Sequence, residues 1–290
     1  MWLYWCLSST IIGGFTVVAL KKCSNNDPKR IALMGLLSYH LIMSLVSMIT
    51  NPEFITKLNI VDMINMLPGI LMQSTGFYCM ISATKYGKVA ITSSISKAKV
   101  VVSFLLGIIV LKENCTLLQL FVSIILVILS IMVARNKTNT KNRIDKKLGQ
   151  KVIMYSYCFA LFNGISNFLN KIYVIKYQNP MYVIFNHAVI IIIGLFIYCL
   201  FTKNWNYLDI RKINAKKFFI LQSLLDVTET IFNRFSMLEG NISVVCVIST
   251  SSIVVTVLAS RFILKEKISW KKYLMILGIF ICVLILSLIK

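Results

Sequence analysis

The sequence from Gly87 to Glu113, GKVAITSSISKAKVVVSFLLGIIVLKE, recurs in the second half of the chain as GNISVVCVISTSSIVVTVLASRFILKE, from Gly240 to Glu266. The two stretches align without a gap at a constant offset of 153, and nine of their 27 positions are identical. Both end in Leu-Lys-Glu. This repetition predicts a chain built from two related halves.

The composition predicts that these halves lie in a membrane. Charged residues make up 14% of the 290 residues and hydrophobic residues 58%, whereas soluble domains carry about a quarter charged residues. Only helices satisfy their own backbone in lipid over the roughly 20 residues that cross the hydrocarbon, so we predict an all-α integral membrane protein. Ten transmembrane helices are predicted, at 2–20, 31–49, 63–83, 89–111, 117–134, 152–170, 181–201, 218–236, 242–263 and 270–289.

A polar segment separates the two predicted halves. Residues 136–151 begin with Asn-Lys-Thr-Asn-Thr-Lys-Asn-Arg, and we interpret them as a basic linker between a first five-helix repeat, 1–135, and a second, 152–290. Because five is odd, the second repeat enters the membrane from the opposite side. The repeats are therefore predicted to be inverted, an arrangement that supports alternating access in many secondary transporters.

The basic residues predict an orientation. The formal net charge is +21, and 22 of the 31 Lys and Arg residues lie in the connections on one side of the predicted spans. The positive-inside rule places loops such as 135–151 and 203–217 in the cytoplasm and both termini outside, for a multi-pass protein of the cell (inner) membrane. Attraction of these loops to anionic headgroups accounts for the basic charge, so no nucleic-acid partner is expected.

Several short patterns indicate a family. Ala83, Tyr86 and Ala90 open the fourth predicted helix, and Leu111-Lys112-Glu113 closes it, with a second copy at Gly240 to Glu266. The first helix carries Gly13-Gly14-Phe15, Lys21 and Pro28, and its counterpart carries Asn163-Gly164, Asn167-Phe168, Lys171 and Pro180. With these residues the chain resembles the EamA-type transporters of the drug/metabolite transporter (DMT) superfamily over nearly its whole length. The resemblance implies a ten-helix transporter that works by alternating access.

The chain departs from that family in two respects. Many relatives carry a proline midway along the fourth helix of each repeat, where this chain has Val100 and Ile253, so the resemblance does not extend to a proline hinge. Ten-helix relatives usually keep both termini inside, opposite to the orientation that the charges predict.

Four ionisable residues are predicted to lie deep in the membrane, where each costs about 2.5–3.5 kcal/mol and usually faces a cavity or a partner. These are Lys97 and Lys99 in the fourth span and Asp226 and Glu229 in the eighth. The two acids are three residues apart and share a helix face, whereas the lysines are two apart and point in nearly opposite directions. Two adjacent carboxylates in a low dielectric resist double ionisation, which favours substrate binding or proton coupling. The alternative is a fixed ion pair that holds the two spans together.

Further polar residues are candidates for the lining of a cavity. Ser96 and Ser249 are equivalent under the offset of 153, Asn163 and Asn167 lie on one face of the sixth span with Asn170, and Gln73 and Gln222 lie in the third and eighth spans. Close packing of small hydroxyl residues between helices is the alternative for the serines. Glu113 and Glu266 close their helices, and we assign them structural or gating roles. His40 and His187 stand alone in apolar spans and are interpreted as packing residues, so no metal site is expected.

The sequence favours a transporter over an enzyme. It contains no H-E-x-x-H, G-x-S-x-G or P-loop motif, and no catalytic residue or cofactor is predicted. The function predicted is secondary active transport of a small polar or amphipathic metabolite, with an amino-acid-like zwitterion favoured and proton coupling open. A lipid-linked sugar flippase or a cationic drug exporter of the same fold is the alternative, and a membrane-embedded enzyme a more remote one. The expected partners are this small molecule and the lipid bilayer, and a homo-oligomer remains open.

Overall fold

The computed structural model describes residues 1–23, 26–87, 92, 95–96, 98–114, 116–134, 143–249, 251–265 and 270–288. Helices are the regular elements of this part of the chain, as the all-α prediction requires. The first half forms α1 (Trp2–Lys22), α2 (Pro28–Thr50), α3 (Ile60–Tyr86), α4 (Lys99–Leu111) and α5 (Leu117–Ala134). The second half forms α6 (Arg143–Tyr177), α7 (Pro180–Thr202), α8 (Lys216–Glu239), α9 (Ile242–Ser249), α10 (Ser252–Ile263) and α11 (Trp270–Leu288). Three short 3₁₀ helices lie at Pro52–Phe54, Trp205–Leu208 and Ile210–Lys212.

The helices differ from the predicted spans at three places. Much of the first part of the span at 89–111 lies outside the described residues, and α4 begins at Lys99. The span at 242–263 forms two helices, α9 and α10, with Ser251 in a turn between them. The helix α6 begins at Arg143, inside the segment 136–151 that we interpreted as a linker.

Among the described residues, five stretches are long and apolar enough to cross a membrane by length and composition: Trp2–Lys22, Pro28–Thr50, Gly149–Tyr177, Pro180–Thr202, and Ile242–Ile263, which contains α9 and α10. The helix α8 is not among them, because Asp226, Glu229 and Arg234 interrupt its apolar sequence. Large apolar side chains cover the outer helix faces, with Leu117, Phe201 and Ile49 each more than 80% exposed. An apolar surface of this kind indicates contact with lipid.

The helices α2 and α7, which are equivalent in the two halves, begin with the same kind of N-terminal cap. Asp27 caps α2 by accepting a hydrogen bond from the Lys29 N–H at 3.3 Å, and Pro28 takes the first helical position. Asn179 and Pro180 do the same for α7, where the Asn179 side chain accepts from the Tyr182 N–H at 3.1 Å. Proline at this position costs no hydrogen bond, since the first N–H groups of a helix lack intrahelical partners.

The main contacts between helices have equivalents when the two halves are exchanged. The most extensive contacts are between α1 and α8 and between α3 and α6, which are equivalent pairs. The contact of α4 with α6 corresponds to that of α10 with α1. The helices α2 and α7 pack on each other, and so do α5 and α11. The repetition in the sequence is therefore also a repetition in three-dimensional contacts.

Two glycines show this equivalence in atomic detail. A Cβ atom at Gly14 of α1 would lie 2.4 Å from Val255 Cβ and 3.0 Å from the Ser252 carbonyl oxygen. A Cβ atom at Gly164 of α6 would lie 2.7 Å from Val102 Cβ and 2.7 Å from the Lys99 carbonyl oxygen. Val102 and Lys99 precede Val255 and Ser252 by 153 residues, so the two contacts are equivalent. In each, a glycine of the first helix of one half packs against the fourth predicted span of the other half.

One lysine closes the third helix of each half, Lys21 partly buried and Lys171 buried. Lys21 Nζ donates to the carbonyl oxygens of Thr84 and Gly87, at 2.7 and 2.8 Å. Lys171 Nζ donates to the equivalent carbonyls of Met237 and Gly240, at 2.5 and 2.8 Å. The last carbonyls of a helix lack intrahelical partners, and a cation is favoured beside them. These lysines are the ones that carried part of the family pattern in the sequence.

Candidate functional site

A cavity of about 200 Å³ lies among α1, α2, α3, α6 and α8, where the two halves meet. Ten of the residues that the sequence singled out as candidates for the site line this cavity: Gln73, Ser96, Lys99, Asn163, Asn167, Asn170, Gln222, Asp226, Glu229 and Ser249. Lys97 and Glu266 lie outside the described residues. The structure therefore brings together residues that are up to 176 positions apart in the chain, from Gln73 to Ser249.

The two acids lie on the cavity face of α8. Gln222 Nε2 donates a hydrogen bond to Asp226 Oδ2 one turn away. The Glu229 carboxyl group lies against Gly13 of α1, where a Cβ atom would be 2.6 Å from its Cδ and Oε1. Both acidic side chains are partly buried in the described structure. Two carboxylates thus share one face of one helix, as their spacing of three residues predicts.

Lys99 reaches the cavity from the first residue of α4. Its Nζ lies 5.7 Å from the centre of the Phe159 ring, a cation–π contact. The described residues contain no ion pair between Lys99 and either acid within 4.0 Å. Lys99 therefore supplies a positive charge to the cavity without closing a direct ion pair with Asp226.

Arg234 is a charged cavity residue that sequence reasoning missed. It lines the cavity from α8, and its side chain is 5% exposed. It lies near the predicted end of the eighth span, so depth did not single it out. Helical spacing was the available signal, because Arg234 follows Thr230 by four residues and Asp226 by eight, on the same broad face.

Four polar atoms of the lining residues have no hydrogen-bond partner within the described structure. They are Asn163 Oδ1, Asn170 Oδ1, Gln222 Oε1 and Arg234 Nη1. Buried polar atoms are nearly always paired with protein or water, and an unpaired one costs about 1–3 kcal/mol. The residues around the cavity therefore hold three acceptors and one donor that are buried and unpaired.

Aromatic and histidine side chains of α2 form one side of the cavity. Tyr39 Oη donates to Thr230 Oγ1 at 2.8 Å and so ties α2 to α8. His40 also lines the cavity, and its Nδ1 is 2.7 Å from the Leu36 carbonyl oxygen. His187 is buried in α7 and does not line the cavity. Within the described residues, no three His, Cys, Asp or Glu side chains are grouped as metal ligands would be.

The two halves contribute unequally to the cavity. On α8 the lining residues Asp226, Thr230 and Asn233 are polar. Their equivalents on α3, 153 residues earlier, are Gln73, Phe77 and Met80, which also line the cavity. The helices α1 and α6 align at an offset of 150, which pairs Gly14 with Gly164 and Lys21 with Lys171. At that offset the three asparagines of α6 correspond to Gly13, Val17 and Leu20 of α1, so the same inequality holds there. The second half thus lines its side of the cavity mainly with polar side chains, whereas the first half contributes both polar and apolar ones.

Glu113 lies away from the cavity and caps a helix. Its carboxylate accepts hydrogen bonds from the Ile242 N–H at 2.8 Å and the Ser243 N–H at 3.0 Å, and from the Ser243 hydroxyl. An acidic side chain is favoured at a helix N-terminus because the first N–H groups there lack partners. Glu113 thus joins the end of the fourth predicted helix to the start of α9. Its equivalent, Glu266, is outside the described residues.

The sequence model of the EamA-like transporter family matches the chain twice, over residues 1–135 and 150–288. The chain belongs to the EamA-like transporter family. It is a membrane protein whose two family repeats correspond to the two halves described above. Family membership assigns it to transporters, and the cavity between its repeats is the candidate site for that activity.

A solved structure supports the fold of this EamA-like transporter. A crystal structure described only as that of a protein aligns with 97% of this chain and 96% of its own, with a TM-score of 0.67 and 9% sequence identity. At that identity the likeness concerns the fold alone. No curated protein matches the chain at a significant level.

Proposed function

We propose that this protein is a secondary active transporter that moves a small zwitterionic metabolite of the amino-acid class by alternating access. The observation that carries the proposal is the cavity between the two repeats, which combines Asp226, Glu229, Lys99 and Arg234. Charged groups at such depth in a membrane are costly and usually belong to a substrate or ion pathway. A site at the interface of two repeats is where many secondary transporters bind their substrate.

The proposed architecture has ten transmembrane helices in two inverted five-helix repeats. The equivalent contacts of Gly14 and Gly164, and of Lys21 and Lys171, support two repeats of one design. An odd number of helices in each repeat requires inversion, since the chain then ends the first repeat on the side opposite to its start. Exchanging the conformations of the two repeats would open the cavity first to one side and then to the other.

Proton coupling is part of this proposal and rests on Asp226 and Glu229. The two carboxylates share one face of α8 beside the cavity, and Asp226 accepts a hydrogen bond from Gln222. Neighbouring carboxylates in a poorly solvated site resist carrying two negative charges, so one of them can hold and release a proton. Proton release and substrate binding would then be linked at one site.

The orientation proposed places the basic loops in the cytoplasm and both termini outside, as the positive-inside rule predicts. The segment 203–217 is the clearest described example, with Lys203, Arg211 and Lys212 among its exposed residues. A fluorescent tag at the N-terminus, quenched from outside intact cells by an impermeant quencher, would test this orientation. Quenching that appears only after permeabilisation of the membrane would place the N-terminus inside and contradict it.

Uptake into proteoliposomes tests the transport proposal. The purified protein is reconstituted, a pH gradient is imposed, and uptake of labelled amino acids is compared for wild type, Asp226→Asn and Glu229→Gln. We expect uptake that depends on the gradient in wild type and is lost in at least one variant. Glu53→Gln is the matched control, because Glu53 is an exposed acid paired only with Lys57 at 2.6 Å. Unchanged pH dependence in both variants would contradict coupling, and no uptake by wild type would contradict the transport proposal.

A further inference from the structure

Arg234 carries a buried positive charge that the described protein does not compensate. Its side chain is 5% exposed, and Nη1 has no hydrogen-bond partner. None of the three ion pairs among the described residues includes Arg234. Its electrostatic neighbours are the phenol groups of Tyr39 and Tyr173 and the imidazole of His187, none of which is an anion at physiological pH. A buried guanidinium without a counter-charge is strongly unfavourable, so an anion is the missing partner.

The position of Arg234 separates it from the acids along the cavity. It follows Asp226 by eight residues on α8, which is about 12 Å along a helix axis. Glu229 lies between them, five residues before Arg234. Charges of opposite sign therefore line the same helix at different depths, and one molecule can contact both.

The unpaired polar atoms of the cavity lining match the two charged groups of a zwitterion. Asn163 Oδ1, Asn170 Oδ1 and Gln222 Oε1 are acceptors, whereas Arg234 Nη1 is a donor. An ammonium group offers three donors and no acceptor, and a carboxylate offers acceptors only and matches the planar fork of a guanidinium. A molecule that carries both groups can satisfy both kinds of unpaired atom.

Organic cations and simple anions match the charged residues of the cavity less well than a zwitterion does. An organic cation would be drawn to Asp226 and Glu229 but would leave Arg234 without an anion. A simple anion would neutralise Arg234 but would enter a cavity that already holds two acidic side chains. A zwitterion meets both requirements and adds no net charge to a site in the membrane.

We infer that Arg234 binds the carboxylate of the transported molecule, while Asp226 and Glu229 receive its amino group. The apolar part of the molecule then lies on the wall formed by Phe77 and Met80, which the first half contributes. This inference deepens the proposed function and rests on it for the substrate class. It assigns Arg234 as the residue that distinguishes an amino acid from the corresponding amine.

The test measures ligand binding to the purified protein in detergent by thermal stability. The probes are leucine, phenylalanine, methionine and lysine, each beside its decarboxylated amine: isoamylamine, phenethylamine, 3-methylthiopropylamine and cadaverine. Wild type is compared with Arg234→Gln and Arg234→Lys. Arg211→Gln is the matched control, since Arg211 is an exposed arginine whose Nε lies 3.3 Å from Asp209. Melting temperatures without ligand show whether each variant is folded.

We expect at least one amino acid to bind wild type more tightly than its amine. Arg234→Gln should weaken binding of that amino acid by about 10- to 100-fold, the usual range for a lost hydrogen bond to a charged group, and leave the amine unchanged. Arg234→Lys should restore part of the affinity, and Arg211→Gln should match wild type. If Arg234→Gln is unfolded, the comparison of amino acid with amine in wild type and in Arg234→Lys decides the question.

Three results would overturn the inference: equal binding of an amino acid by wild type and Arg234→Gln, binding of the amines as tight as that of the amino acids, or no binding of either class. Proteoliposome uptake reports on the proposed function separately. Transport by Arg234→Gln at wild-type affinity would contradict the role of Arg234 and still support the proposed transport function. Binding that depends on Arg234, without any transport, would support the binding site and contradict the proposed transport function.

Discussion

Gly13 of α1 leaves the space that the Glu229 carboxyl group of α8 occupies, since a Cβ atom at Gly13 would lie 2.6 Å from Glu229 Cδ. The equivalent contact in the other half has the opposite arrangement. There Gly76 of α3 lies beside Asn163 of α6, with a Cβ at Gly76 3.7 Å from Asn163 Cβ. Each contact pairs a glycine with a polar residue, but the glycine is on the first helix in one case and on the third in the other. Both polar side chains of these two contacts therefore come from the second half.

Substituting Gly13 by alanine is expected to displace the Glu229 carboxyl group and reduce transport by about tenfold, because misplacing a functional group by about 1 Å can cost up to 10²-fold. Stability should change little, since the contacting atoms are the far end of a flexible side chain. Uptake into proteoliposomes and the melting temperature measure the two effects. Gly194→Ala is the control, because a Cβ there meets nothing within 4 Å. Equal uptake by Gly13→Ala and Gly194→Ala would show that Glu229 does not depend on this space.

Alanine at Gly14 or Gly164 is expected to destabilise the protein by about 1–3 kcal/mol, as extra atoms in a packed interface do. At both positions the added Cβ would meet a backbone carbonyl oxygen, at 3.0 Å from Ser252 and 2.7 Å from Lys99, so a side-chain rotation cannot relieve the contact. The free energy of unfolding in mixed detergent micelles measures the loss, again beside Gly194→Ala. A loss at only one of the two positions would contradict the equivalence of the two contacts.

Removing the amino group of Lys171 by substitution with methionine is expected to cost about 1–3 kcal/mol for each buried carbonyl left unpaired. The carbonyls are those of Met237 and Gly240, which accept from Lys171 Nζ at 2.5 and 2.8 Å. Lys21→Met should have a similar effect at the end of α3. Lys176→Met is the control, because Lys176 is exposed and a surface change of this kind is usually within about 0.5 kcal/mol. Unfolding measurements in which Lys171→Met equals Lys176→Met would argue against the capping role.

Glu113→Ala is expected to destabilise the start of α9 by about 0.5–2 kcal/mol, the range for losing a helix cap. The variant Glu113→Gln keeps an acceptor oxygen for the Ile242 and Ser243 N–H groups and should lose less. Hydrogen exchange of the α9 amides, followed by mass spectrometry, would locate the effect. Exchange that is faster in α9 for Glu113→Ala but not for Glu53→Ala would support the cap, and no change in α9 would contradict it.

Much of the candidate site follows from helical periodicity, which is a local property. Asn163 and Asn167 are one turn apart, and so are Gln222 and Asp226, so their shared faces could be predicted without a structure. Burial depth estimated from span boundaries was a weaker guide. It selected Asp226 and Glu229 but passed over Arg234, which lies nearer the predicted end of the same span and still lines the cavity. The roles of all these residues in transport remain predictions.

The sequence by itself determined that the chain is helical, apolar and duplicated, because these properties depend on composition, on the length of apolar runs and on a repeat at a fixed offset. It also determined which residues share a helix face. Only the tertiary structure decided which faces meet, because contacts such as Gly13 with Glu229 and Glu113 with Ile242 join residues more than 120 positions apart. It likewise decided that α6 and α8 present mainly polar side chains to the cavity, whereas α1 and α3 present both polar and apolar ones. That division depends on how side chains of unequal size pack at equivalent positions, and no local pattern in the chain specifies it.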